Sequence, residues 1–320
     1  MPLPKPKINE TRNEFMDRCM SNANIQDDFN TVNQRAAVCN NLYTDKGKKK
    51  ALKFNYNKFR RAFKSGFKRL HKKASRQNNK LAYNYYNEGF KKSINLFLKY
   101  NDISPDNYII FFQEKNTQEL YMDMYMTTGL MFYEWYLGNY ESFIKKDIKA
   151  VNIFQSFMRN YVLYSTRLQQ RITSVKKTAI KNVVKTFQKN MDDPNFIQES
   201  NLGRAKILNK QLNHRALWEA KRIVVTETTL ASNIAVEKAA YSAFSNPSEL
   251  VKDWIIGSSF NHRMGHLDLD AQEPIPVGEN FINPVTGISM RIPGEGPSSE
   301  VINCSCSVAF IPNPDTLIPN

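Results

Sequence analysis

The sequence predicts an α+β protein in which long, mostly basic helices over about residues 46–245 precede a small, loop-rich α+β module at the C-terminus. In the first part, apolar residues recur every three or four positions, which is the spacing of amphipathic helices. After residue 250 this periodicity stops, and short β-prone segments alternate with turns rich in Pro and Gly. With 320 residues and 41% hydrophobic content, the chain can bury a sizeable core.

A small helical hairpin is predicted over residues 1–45. Thr11-x-x-Glu14 is a capping box that opens a short helix carrying Cys19. The pair Asn30-Thr31 offers a cap for a second helix, which carries Cys39. The two cysteines could face each other across the hairpin, although packing is the commoner role of such residues. Four cysteines in the chain predict no disulfide framework, and they fit a reducing cytoplasm with thiols free or metal-bound.

Residues 46–100 carry the charge of the protein. They contain eighteen Lys or Arg against one acid, Glu88, so their net charge of +17 exceeds the +15 of the whole chain. Apolar residues keep a helical period on both sides of Asn78-Asn79, which predicts two helices with a break at that pair. Like charges at this density repel one another, so we expect an anionic partner, either nucleic acid or an acidic protein surface, rather than a merely solvated face. The residues assigned to double-stranded DNA are Lys53, Arg60, Arg61, Lys64, Lys68, Arg69, Lys72 and Lys73.

Three further helical stretches follow. Residues 117–165 are rich in Tyr, Met and Phe and are predicted to form buried helices. Residues 166–190 form a basic amphipathic helix that Asp192-Asp193-Pro194 ends, and a long helix runs from about Asn213 to Ser245. No stretch reaches eighteen uncharged apolar residues, so no membrane span is predicted. The first residues lack the apolar core of a signal peptide.

The last seventy residues hold the side chains with the most chemistry. Cys304-x-Cys306 with His266 could bind a structural zinc ion, with His262 or Asp268 as the fourth ligand. The alternative is that the cysteines are small buried residues and that His266 is hydrogen-bonded beside them. A thiol nucleophile with a histidine base, or a metal-dependent nuclease, would use the same side chains. Neither has a local sequence signature here, so no catalytic residue is assigned and the chain is predicted not to be an enzyme.

The order of several short motifs resembles the Mu F-like minor head protein family of tailed bacteriophages, also described as the phage head morphogenesis domain. The motifs lie within residues 200–310 and are Thr226-Glu227-Thr228, Asp253-Trp254, Arg263-x-x-His266-x-x-Leu269-Asp270, Pro293-Gly294 and Ile302-Asn303-Cys304-x-Cys306. Three positions depart from the family pattern: Ser305 and Val225 stand where Arg is common, and Ala271 stands where Gly is usual. The segments Met1–Lys7, Glu14–Met20 and Gln34–Cys39 resemble a short module that opens several other phage head proteins.

The resemblance implies a portal-associated minor head (minor capsid) protein of the virion that acts in head morphogenesis and in DNA packaging or delivery. Its partners would be the portal protein, capsid proteins and double-stranded DNA. It would reside in the capsid interior or at the portal vertex, and in the host cytoplasm during assembly. The structural framework would include Trp254, Arg263, Asp268 and Asn303. The domains expected are residues 1–45, the basic helical region 46–200, the head morphogenesis domain 201–312 and a tail over 313–320.

Two alternatives remain open. The first is a virion-delivered enzyme with an ADP-ribosyltransferase-like fold, to which the Mu F-like domain is distantly similar. Such an enzyme needs a catalytic glutamate, and Glu273, Glu279, Glu295 and Glu300 are available without standing in a recognisable motif. The second is a DNA-binding cargo protein of the capsid that docks on no specific partner.

Overall fold

A computed structural model places most of the chain in two compact units, Met1–Phe59 and Arg60–Asn320. The residues it describes are 4, 10–28, 31–32, 34–36, 38–39, 56–139, 148–244, 250–257 and 262–313. From Arg60 onward, the basic helices and the C-terminal module belong to the second unit.

The N-terminal unit contains helices α1 (Arg12–Met20) and α2 (Ala23–Asp28). The predicted capping box is present, because Thr11 and Glu14 exchange side-chain and backbone hydrogen bonds at the start of α1. Thr31 and Gln34 make the same reciprocal pair, with N···O distances of 3.4 and 3.3 Å, ahead of further helical residues. Asn30 lies outside the described residues, and α2 was not predicted.

Cys19 and Cys39 form a disulfide. Their Cα atoms lie 5.8 Å apart, within the range that a disulfide bridges. Phe15 and Ile25 pack around the bridge to form the core of this unit. The expectation that all four cysteines would be free or metal-bound is therefore wrong for this pair, because the packing of the two helical segments brings the thiols into bonding distance.

The helical part of the second unit follows the predicted order. Its elements are α3 (Tyr56–Tyr100), a 3-10 helix (Pro105–Phe111), α4 (Glu114–Asn139), α5 (Ile148–Tyr164), α6 (Thr166–Met191), α7 (Pro194–Gln198) and α8 (Asn201–Ala243). None of the helices in the described ranges is long and apolar enough to cross a membrane. The mostly helical α+β class is confirmed.

The C-terminal module packs two small antiparallel sheets against α8. Its elements are β1 (Leu250–Ile255), α9 (Met264–Ala271), β2 (Ile275–Pro276), β3 (Phe281–Ile282), β4 (Ser289–Met290), α10 (Ser298–Val301) and β5 (Ser307–Pro312). Strand β1 lies between β2 and β5, with Trp254 opposite Val308, and β3 pairs with β4. The β-prone pair Val301-Ile302 forms no strand, because Val301 ends the short helix α10 and Ile302 is its C-cap.

Helix α3 runs through Asn78-Asn79 without interruption, so the predicted break is wrong. The side chain of Asn78 is fully buried, and its Nδ2 donates to the hydroxyls of Thr128 on α4 (2.9 Å) and Thr228 on α8 (3.0 Å). An asparagine whose side chain finds partners on two other helices does not compete for its own backbone. Asn78 therefore joins three helices instead of ending one.

The apolar face predicted for α6 is confirmed. Its six members, all buried, are Leu168, Ile172, Val175, Ala179, Val183 and Phe187. The predicted stop is confirmed as well, because α6 ends at Met191 and Asp193 caps α7 with Pro194 in its first turn. Helix α8 begins at Asn201, earlier than predicted, where the hydroxyl of Ser200 accepts from the amide of Gly203.

A buried ion pair ties α6 to α8 and to the C-terminal module. Arg171 Nη1 lies 3.2 Å from the carboxylate of Glu227, and Arg171 Nη2 donates to the carbonyl of Gly294 at 2.7 Å. The hydroxyl of Tyr125 on α4 donates to the same carboxylate at 2.7 Å. Burial raises the pKa of Tyr125 well above its ordinary value, and the charge of Glu227 adds to the rise. Glu227, the acidic residue of the Thr226-Glu227-Thr228 motif, is thus ion-paired with an arginine on another helix.

Gly294 is needed where the loop crosses α8. Its φ of +97° is a conformation that L side chains rarely adopt, and an added Cβ would lie 2.9 Å from Cα of Leu230. This close approach brings the Gly294 carbonyl within reach of Arg171.

Candidate functional site

Helix α8 carries polar residues on a buried face, where the helical spacing predicts apolar residues. Thr226 and Thr229 lie on one face of the helix, one turn apart, and both are buried. The amide of Asn303 donates to Thr226 Oγ1 at 3.2 Å, and Thr229 Oγ1 donates to the carbonyl of Cys304 at 2.7 Å. The helix therefore holds the start of the Cys-x-Cys segment by its backbone.

Asn233 continues this face by one further turn. It is fully buried, and its Nδ2 donates to the carbonyls of Cys306 (3.0 Å) and Pro293 (3.2 Å). Its Oδ1 accepts from the amide of Val308 at 2.9 Å. Because one side chain satisfies three backbone groups, the start of β5 is fixed in register on α8.

The predicted Cys-His cluster forms. His266 Nδ1 lies 3.7 Å from Sγ of Cys304 and 3.6 Å from Sγ of Cys306. The three candidate ligand atoms all lie within 4.8 Å of one another, and all three residues are buried. Helix α9 supplies the imidazole, and the turn between α10 and β5 supplies both sulfurs.

The other ring nitrogen of His266 faces a carboxylate. Nε2 lies 2.9 Å from Oε2 of Glu300. Asn283 donates to the same oxygen at 3.1 Å, and Thr286 donates to Oε1 at 3.0 Å. A carboxylate at Nε2 favours the tautomer with the proton on that nitrogen, which leaves the Nδ1 lone pair directed at the sulfurs.

The thiols and the imidazole shift one another's proton affinity. Desolvation works against the imidazolium, but hydrogen bonds to Cys306 and Glu300 outweigh it, so the pKa of His266 is raised. The hydrogen bond with Cys306 lowers the pKa of Cys304, and the same contact together with burial raises that of Cys306 well above its ordinary value. The backbone amide of Cys306 also donates to Sγ of Cys304 at 3.4 Å. Cys304 therefore loses its proton more readily than Cys306.

Neither residue predicted as a fourth ligand joins the cluster. His262 is not a member of this group of candidate ligands, and Asp268 is exposed on α9. Asp270, rather than Asp268, makes the structural contacts, since it accepts from the amide of Ile256 at 2.8 Å.

The other predicted framework residues do make structural contacts. Trp254 is buried and packs edge-on against His266, with ring centroids 5.1 Å apart. Arg263 donates to the carbonyls of Ser299 (2.6 Å) and Ile302 (2.9 Å), which closes the end of α10.

Arg60, one of the residues assigned to DNA, forms ion pairs within the protein. Its Nε lies 2.8 Å from Asp253, and its Nη2 lies 2.8 Å from Asp270 and donates to the carbonyl of Trp254 at 3.2 Å. The side chain of Asp253 is almost completely buried, so the guanidinium serves to neutralise it. Lys53 lies outside the described residues.

A groove of about 870 Å³ opens between α3, α8 and the C-terminal module. Lys64, Lys68 and Lys72 line its α3 wall at intervals of four residues. Helix α8 contributes Trp218, Lys221 and Arg222, and the module contributes Ile256, Gly257, Asn303, Ser305 and Ser307. Three of the predicted DNA-binding residues therefore lie along the groove. Arg61, Arg69 and Lys73 are exposed on α3 but are not among its lining residues.

His71 lines the groove and links it to the Cys-x-Cys segment. Its Nε2 lies 3.0 Å from Thr229 Oγ1, the hydroxyl that donates to the Cys304 carbonyl, and the hydroxyl of Ser75 lies 3.4 Å from its Nδ1. This arrangement suits a neutral imidazole with its proton on Nε2. Desolvation by burial lowers the pKa of His71 to about 4, so the ring is neutral at pH 7.

Replacing His71 with Gln should reduce the loss of stability on acidification. The folded-state pKa of about 4 lies below the ordinary 6.5, so the unfolded chain binds the additional proton. His71 therefore contributes stability that is complete above pH 6.5 and is lost as the pH falls to about 4, which amounts to about 1–3 kcal/mol. Urea denaturation at pH 7.5 and pH 4.5 measures it. The exposed His214→Gln is the matched control, and an equal pH effect in both variants would contradict the assignment.

No family model, no curated protein and no solved structure gives a significant match to this chain.

Sequence reasoning missed the α8 contribution to both sites. Lys221 and Arg222 were not assigned to an anionic partner, because they lie far along the chain from the charge centre. Trp218 is 56% exposed, and Thr229 and Asn233 are buried polar residues. Which positions of this helix are buried cannot be read from the sequence, because its N-terminal part is largely exposed while residues 226–237 are all buried.

Proposed function

We propose that this protein is a minor head protein of a tailed bacteriophage that acts near the portal and contacts DNA through the groove between α3, α8 and the C-terminal module. The observation that carries the proposal is the convergence of five cationic side chains on one concave surface. These are Lys64, Lys68, Lys72, Lys221 and Arg222.

The charge of the groove fits a phosphate backbone. Lysines and arginines on two helices can neutralise several phosphates at once, and counterion release then drives binding without sequence reading. Asn303 and Ser305 on the opposite wall add hydrogen-bond donors of the kind that contact phosphate and sugar. His71 is neutral and Arg222 is ion-paired with Glu219 at 2.8 Å, so at pH 7 the four lysines supply most of the net positive charge of the lining.

An exposed aromatic ring stands beside the cations. The guanidinium of Arg222 lies over the indole of Trp218, with its Cζ 5.0 Å from the ring centroid. An indole presented in this way can stack on an unpaired base, as aromatic side chains do in proteins that hold single strands. The groove thus offers both backbone and base contacts at a DNA end or a locally opened duplex.

The placement of the motif residues supports the head protein assignment. Thr226, Pro293 and Cys306 are spread over eighty residues of sequence, yet α8 binds the loop and the Cys-x-Cys segment through Thr226 and Asn233. Motifs that resemble those of the Mu F-like family are therefore one connected structural element here. In such a protein this module would dock on portal or capsid protein, while the groove faces the DNA.

The full chain should bind a labelled DNA duplex with an affinity that falls steeply with salt. Four to five phosphate contacts predict a slope of log K against log salt of about −4. Fluorescence anisotropy between 50 and 300 mM NaCl measures the slope, and a single strand of equal length tests the stacking contact. Polyglutamate of similar charge is the control for an acidic protein partner. Absence of DNA binding at low salt, or a slope near zero, would remove the support for the proposal.

A further inference from the structure

We propose that His266, Cys304 and Cys306 bind one zinc ion through Nδ1 and the two sulfur atoms. The three side chains come from two places in the fold that are 38 or more residues apart in sequence. They meet in the interior of the C-terminal module, with each residue no more than 4% exposed.

The distances from Nδ1 to the two sulfurs match a tetrahedral zinc site. Zinc lies about 2.3 Å from a thiolate sulfur and about 2.0 Å from an imidazole nitrogen, so two such ligands at the tetrahedral angle are about 3.5 Å apart. In this structure Nδ1 lies 3.7 and 3.6 Å from the two sulfurs. The two sulfurs lie within 4.8 Å of each other, so one ion can contact all three ligand atoms after a small adjustment of the cysteine side chains.

The surroundings prepare each ligand for a metal. Glu300 accepts from Nε2 of His266 at 2.9 Å, which is the carboxylate–histidine arrangement that orients metal-binding imidazoles. Asn283 and Thr286 hold this carboxylate in turn. The Cys306 amide donates to Sγ of Cys304 and so favours its thiolate.

The backbone that carries the sulfurs is fixed independently of any ion. Thr229 binds the carbonyl of Cys304, and Asn233 binds that of Cys306. Both side chains belong to α8, the long helix against which the module packs. Because these hydrogen bonds set the directions of the two sulfurs, the site is largely formed before binding, which lowers the cost of closing it on a metal.

The donor set selects zinc over the common hard cations. Two thiolates and one imidazole are ligands of structural and catalytic zinc, whereas magnesium and calcium take oxygen ligands. Three protein ligands leave one tetrahedral position, which water fills. The bound ion would join α9 to the start of β5 in a module whose sheets contain only short strands.

Metal analysis of the purified full chain tests the site. Mass spectrometry under native conditions and elemental analysis should both give one zinc per chain, and Cys304→Ser/Cys306→Ser should give none. Ser305→Ala is the matched control, since Ser305 lies between the two ligands and faces the groove. Cys19→Ser/Cys39→Ser removes the other two cysteines and should keep the zinc.

If the cysteine variants fail to fold, the site can still be tested by removing the ion from the wild-type chain and replacing it. Wild-type chain treated with a chelator should take up one equivalent of Co²⁺ with a thiolate-to-cobalt absorption band, and zinc should displace it. Glu300→Gln should weaken zinc binding by about 10- to 100-fold, because the carboxylate orients His266. Folded wild-type chain that binds neither ion at micromolar concentration, or zinc retained in the double cysteine variant, would overturn the proposal.

Discussion

Replacing Lys64, Lys68 and Lys72 together with alanine should weaken DNA binding by about 10²- to 10³-fold at 0.1 M salt. The three ammonium groups stand on one wall of the groove at intervals of one helical turn. Each phosphate contact that is lost reduces the slope of log K against log salt by about 0.9, so the slope should become less negative by nearly 3. Anisotropy titration of the labelled duplex measures both quantities.

The matched control removes the same charge from the same helix outside the groove. Arg69, Lys73 and Arg76 are exposed on α3 and do not line the groove. Their triple alanine variant has the same net charge as the first, so a loss of affinity that follows total charge alone would be equal in the two. We expect the control to lose less than about tenfold. Equal losses would mean that DNA meets the general basic surface of α3 and not the groove.

Replacing Arg171 with alanine should lower the free energy of unfolding by about 3–5 kcal/mol. The guanidinium lies against Glu227, whose side chain is 4% exposed, and it also binds the Gly294 carbonyl. Its loss leaves the buried carboxylate with the hydroxyls of Tyr125 (2.7 Å) and Tyr121 (3.5 Å) as partners, and it frees the loop that crosses α8. Urea denaturation of the full chain, followed by far-ultraviolet circular dichroism, measures the change.

Arg167→Ala is the control for this variant, because Arg167 is exposed one turn earlier on α6. It should change stability by no more than about 0.5 kcal/mol. Replacing the pair together, as Arg171→Met with Glu227→Leu, should recover much of the loss, since no buried charge then remains. A loss below about 1 kcal/mol for Arg171→Ala would show that Tyr121 and Tyr125 satisfy the carboxylate without it.

The helices of this protein could be predicted from the sequence where the spacing of apolar residues along one helix face is enough to define them. The buried face of α6 and its end before Asp193-Pro194 follow from local spacing and turn chemistry. The break at Asn78 was wrongly predicted because the partners of that side chain, Thr128 and Thr228, lie 50 and 150 residues away. Local propensity favours a turn there, and tertiary hydrogen bonds override it.

The two sites were predictable to different degrees. His266 and the two cysteines share a recognisable chemistry, so they could be grouped from the sequence. Asp268 was predicted as a ligand or framework residue, but Asp270 makes the structural contacts. The two residues lie only two positions apart on a short helix, and only the fold shows that Asp270 pairs with Arg60. The groove is formed by three distant elements. Its lysines could be identified from charge, but its Trp218 wall depends on how α8 packs against α3.

The three residues from Cys304 to Cys306 face two different environments. The cysteines face the interior, and Ser305 faces the groove. The middle position can therefore be substituted without a change to the inner cluster. Ser305→Arg would add a cation to the groove from the C-terminal module, whereas the lysines of the lining come from α3 and α8. The charge of the groove and the Cys-His cluster can thus be altered independently, although their residues are adjacent in the sequence.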